Sequence, residues 1–100
     1  MEGVYTVNQL REIIAPIAMR HGVKSVSLFG SYASNQATVH SDVDLKIEKG
    51  RLKSLFDLGR FRLEVEDALR LPVDLVTTQC SDPEFLRYIE RNEVLLYRNP

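Results

Sequence analysis

A single cysteine, Cys80, occurs in the 100 residues. No internal disulfide can form, so the expected setting is a reducing one, the cytoplasm. Repeats, low-complexity tracts and Gly/Ser/Pro linkers are absent, which leaves one domain. No apolar run approaches the roughly 20 residues that span a bilayer, so no membrane role is expected. The first nine residues are polar and lack the apolar core of a signal peptide. A surplus of positive charge is missing too. Thirteen Lys and Arg stand against fourteen Asp and Glu, for a net charge of -1. Without a basic field, DNA or RNA is not an expected partner. Hydrophobic residues make up 44% of the chain, enough for a modest core.

The pattern along the chain alternates helix and strand. Thr6 and Gln9 form a capping-box pair, and Val7, Leu10, Ile14, Ile17 and Ala18 share one face of a helix over 7–20. Pro16 removes one helical hydrogen bond, predicting a kink near Glu12. Gly22 can end the helix at positive φ. Val23 to Phe29 reads as a strand stopped by Gly30-Ser31, followed by a polar stretch from Tyr32 to Ser41. Asp42 to Glu48 reads as a second strand. A helix over 54–70 starts at the N-cap Ser54 and turns Leu55, Leu58, Val65 and Leu69 inward. Pro72 blocks its continuation, and Val73 to Thr78 reads as a third strand. Asp82-Pro83 opens a last helix to Arg91, and 93–97 adds a short edge strand. The fold class is α/β (α+β), a small mixed sheet with helices packed on one side.

Three features carry chemistry. Gly30-Ser31 closes the first strand, Asp42-Val43-Asp44 opens the second, and Asp74 lies in the third. Alternation along a strand puts Asp42 and Asp44 on one face, about 6.6–6.8 Å apart at their Cα atoms. Paired catalytic metals sit about 3.5–4 Å apart, so these carboxylates can flank such a pair, with Asp74 as a third ligand. Two bare carboxylates at ~4 Å repel by ~4 kcal/mol at an effective dielectric of ~20, so three together call for a cation. Oxygen-only ligands favour magnesium. Gly30 lets a phosphate approach the backbone, and Ser31 offers a hydroxyl and amide groups to an anion.

These residues resemble the signature of the polymerase-beta-type nucleotidyltransferase superfamily, and residues 29–45 are similar to its minimal nucleotidyltransferase branch. The resemblance implies a nucleotidyltransferase fold. It implies that Asp42, Asp44 and Asp74 are catalytic and bind two Mg2+ ions. Asp42 and Asp44 would hold both, and Asp74 would hold one and help deprotonate the acceptor hydroxyl. Gly30 and Ser31 would hold the β- and γ-phosphates of ATP. The activity implied is transfer of AMP to a tyrosine of a HEPN-type ribonuclease toxin, with this chain as the antitoxin. In one respect the sequence departs from the family: Ser34 and Asn35 stand where Arg and Gly are usual. Lys46, on the face of Asp44, is either a replacement for the lost cation or a surface charge.

Other residues have plainer readings. His40 reads as an exposed loop histidine, and His21 as a cation at a helix C-terminus. Cys80 has no activating neighbour. Phe85, Tyr88 and Ile89 read as core, and Tyr32 either stacks on a base or packs beneath the loop. Arg60, Arg62, Glu64, Glu66, Asp67 and Arg70 read as a solvated helix face. Two alternatives to the adenylyltransferase remain at this stage: a non-catalytic antitoxin acting by contact, and an aminoglycoside-type small-molecule enzyme completed by a partner subunit. The sequence leaves the oligomeric state open.

Overall fold

The structure, a computed structural model, describes residues 4–79 and 82–100; Cys80 lies outside them. Eight elements follow in order: α1 (Val7–His21), β1 (Ser25–Phe29), α2 (Gly30–Ala33), β2 (Val43–Glu48), α3 (Leu55–Leu69), β3 (Val73–Thr77), α4 (Pro83–Asn92) and β4 (Val94–Arg98). The start of α1 follows from its capping box: Thr6 accepts from the Gln9 amide, and the Gln9 side chain accepts from the Thr6 amide. Gly22 ends it at φ +73. The helix runs on through Pro16, which lies on the exposed side.

The four strands form one mixed sheet in the order β3-β2-β1-β4. β1 pairs antiparallel with β2 and β4, whereas β2 and β3 run parallel, with α3 as the crossover that a parallel pair needs. The alternation read in β2 is real. Val43, Leu45 and Ile47 are fully buried, while Asp44, Lys46 and Glu48 face the other way and are half-buried. On the apolar face, α1 and α3 bring Leu10, Ile14, Phe61 and Val65 into one core with Val26, Leu28 and Leu45. On the opposite face α4 lies against the end of β1, where Phe29 and Phe85 meet edge to face with centroids 6.1 Å apart.

Several expectations need correction. Leu55 is 85% exposed. The buried stripe of α3 is instead Phe61, Val65 and Leu69, spaced i, i+4, i+8. Tyr88 is exposed and Phe85 lies at the margin, leaving Ile89 as the buried residue of α4. β2 starts at Val43, so Asp42 lies just before it. The face of α3 is only partly solvated: Glu64 binds Arg20 and His21, and Glu66 accepts from the Val73 amide at 2.8 Å. His21 is held by Glu64 at 2.8 Å and by an edge-on contact with Phe61. Tyr32 packs in the core, 4% exposed, and His40 is exposed.

Candidate active site

Strand register decides where the acidic residues fall. Phe29, the last residue of β1, pairs with Asp44, and Asp44 pairs across the parallel ladder with Asp74. Directly opposed residues share a face, so Asp44 and Asp74 stand side by side on the face away from the core. Asp42, exposed just ahead of β2, is near enough to act on Asp44. Burial, then the charges of Asp74 and Asp42, then a hydrogen bond with Asp74 push the Asp44 carboxyl up from 3.8 to about 6. A carboxyl perturbed by burial and like charges is a candidate for a functional site.

The Gly30-Ser31 turn is built against the same carboxylate. Gly30 has φ +74, and a Cβ added to it would overlap Asp44 Oδ2. Two independent demands, left-handed backbone and close approach, therefore require glycine here. The turn that follows is the four-residue α2, in which the Ser34 amide donates to the Gly30 carbonyl at 3.1 Å. Ser31 is half-buried at its start. Asn35 has φ +62, the conformation that a glycine would adopt freely and asparagine tolerates. The backbone path is thus kept despite the departure at 34–35, while the exposed Ser34 supplies no cation.

Nor is Lys46 a free cation. Its Nζ lies 2.7 Å from Glu93 Oε2 at the end of α4, with both side chains largely covered. Sequence reading placed Lys46 on the right face but missed Glu93. Nothing local signals that the end of α4 returns over β2. Among the described residues, no three His, Cys, Asp or Glu side chains are already gathered into a metal cage. Asp42, Asp44 and Asp74 offer oxygen donors with adjacent negative charges, a donor set that a hard divalent ion would fit. Two larger cavities lie elsewhere, about 620 Å3 beside Glu66 and Pro72 and about 540 Å3 beside Tyr5 and Leu69. A smaller one of about 310 Å3 reaches Asp74.

The chain matches the family model described as polymerase beta nucleotidyltransferase over residues 12–100. It belongs to that family. A Methanocaldococcus jannaschii protein provisionally named a protein adenylyltransferase is 43% identical over 77 residues, covering 77% of this chain and 83% of the relative. A second from that organism is 34% identical over 97 residues, covering 92% and 97%. Among solved structures, a minimal nucleotidyltransferase superposes with a TM-score of 0.77 at 29% identity, covering 90% of this chain and 95% of that one. The fold is also that of a chain in a complex of tri-AMPylated Shewanella oneidensis HEPN toxin with MNT antitoxin. There the TM-score is 0.72 at 16% identity, covering 94% and 74%. The nucleotidyltransferase fold read from the sequence is therefore the observed one, and the chain is an enzyme of the nucleotidyltransferase class.

No helix of the described residues is long and apolar enough to cross a membrane.

Proposed function

We propose that the chain is a protein adenylyltransferase that moves AMP from ATP to a tyrosine hydroxyl of a HEPN-type ribonuclease toxin, and so acts as its antitoxin in the cytoplasm. The observation that carries this reading is the pairing of Asp44 with Asp74 beside Asp42 and against Gly30. It is supported by the relatives named as protein adenylyltransferases, among them MntA of Thermococcus cleftensis, 37% identical over 57 residues. That match covers 58% of MntA. Neighbours in fold include toxin–antitoxin complexes, one with AMP-PNP, which points to ATP as the donor.

Two magnesium ions bound at this face would supply Lewis acidity to the attacking oxygen and to the departing pyrophosphate. Asp42 and Asp44 would hold both ions, and Asp74 would hold one of them. Gly30 admits the triphosphate to the backbone, and Ser31 orients its β- and γ-phosphates by hydroxyl and amide groups. Asp74 takes the proton of the acceptor hydroxyl as the new O–Pα bond forms. The bond from Pα to the bridging oxygen breaks in line, and pyrophosphate leaves. Asp44, flanked by two like charges, prefers a bound cation to a proton at neutral pH.

The test is incubation with ATP, magnesium and the HEPN-type partner. Wild type should add AMP to a partner tyrosine, read by mass, and Asp44→Ala should reduce transfer to background. An unmodified partner overturns the reading. The ion pair of Lys46 with Glu93 leaves no strand cation to steady a triphosphate, which favours a second reading, neutralisation by contact alone. Full neutralisation by Asp44→Ala would select it.

A further inference from the structure

β3 is an edge of the sheet, and only part of that edge is covered. The Pro72 carbonyl accepts from Val43 and the Thr78 amide donates to Ile47, so even-numbered residues of β3 point their backbone at β2. Val73, Leu75 and Thr77 therefore point outward. Glu66 caps the first, accepting from the Val73 amide at 2.8 Å. Leu75 and Thr77 have no backbone partner among the described residues. An uncovered edge of this kind is a template for another chain.

Beside that stretch is the cavity of about 310 Å3, between Leu58, Gly59 and Arg62 of α3 and Asp74, Leu75 and Thr77 of β3. Gly59 is the unexplained residue in its wall. It sits inside α3, where glycine costs roughly 0.5–1 kcal/mol relative to alanine. A Cβ there would meet nothing within 4 Å. Packing does not require glycine at 59, and its missing side chain leaves the groove wider there. Arg62 is exposed and has no acidic partner within 4 Å among the described residues.

We infer that the acceptor segment of the partner protein lies extended along Leu75–Thr77, its backbone bonded to this edge. The inference rests on the adenylyltransferase reading and adds where the protein substrate is held. Alternation along an added strand sends neighbouring side chains to opposite faces. The acceptor hydroxyl then faces Asp74 and Asp44, while the adjacent side chain enters the groove over Gly59. Arg62 at the rim suits a carboxylate on that adjacent residue, so the occupant is an extended segment with an acidic residue next to the acceptor.

The experiment combines amide hydrogen exchange with kinetics on the full chain and its HEPN-type partner. Complex formation should protect the Leu75 and Thr77 amides. Gly59→Leu, which fills the groove, should raise KM for the partner about tenfold or more and leave the Kd of ATP unchanged. Gly59→Ala should raise the melting temperature and have a smaller effect on KM. Unprotected amides in the complex, or normal KM in Gly59→Leu, would overturn the docking site even if AMP transfer is sound. Protection without any AMP transfer would keep the docking site and refute the activity. Protection in the free protein, with the mass of a dimer, would assign the edge to a second copy and overturn the inference.

Discussion

Asp44 carries two opposed demands. In the folded chain its carboxyl is held at about 6 rather than 3.8, so the folded state binds a proton that the unfolded state releases. Without metal, the contribution of Asp44 to stability should then fall as pH rises from about 4 to about 6 and level off above. Asp44→Asn removes the penalty: its metal-free melting temperature should exceed that of wild type at pH 7 and match it near pH 4. Magnesium should stabilise wild type at pH 7 and not the variant. A difference in melting temperature between Asp44→Asn and wild type that is the same at pH 7 as at pH 4 would contradict this. Gly30 is the reciprocal case. Gly30→Ala meets both positive φ and the Asp44 oxygen, so it should cost about 1–3 kcal/mol in denaturant unfolding and disturb the carboxylate proposed to hold the metal ions. A neutral Gly30→Ala would mean that the two elements are less closely set.

At the scale of elements, the sequence was informative where a signal is local. The α1 cap and its glycine stop are each set by residues within about one turn, its apolar face recurs turn by turn, and each appears as read. In α3 the same reasoning chose Leu55 because it is apolar and near the N-cap. The first turn projects past the sheet, and Phe61 takes the core position. Phe61→Ala should cost about 3–5 kcal/mol. Leu55→Ala should change stability by less than ~0.5 kcal/mol, both measured by urea unfolding. Equal effects would contradict the observed burial. The same distinction explains the site: Gly30-Ser31 and Asp42-x-Asp44 were legible as motifs, but their contact depends on register. A one-residue slip of β3 would carry Asp74 to the other face, and no local feature sets that register.

Across the whole molecule, the sheet order β3-β2-β1-β4 puts chemistry on one face and the core on the other. The long helices α1 and α3 bury the apolar face. α4 meets the acidic face through Phe85 and Glu93 and leaves the region of Asp44 and Asp74 for ligands. The central claim is that Asp42, Asp44 and Asp74 together hold divalent cations. Titration with Mn2+ in the presence of a non-hydrolysable ATP analogue, read by electron paramagnetic resonance, tests it most directly. Wild type should bind two ions per chain, and Asp44→Asn and Asp74→Asn should each lose at least one. Binding by both variants equal to wild type would contradict the account.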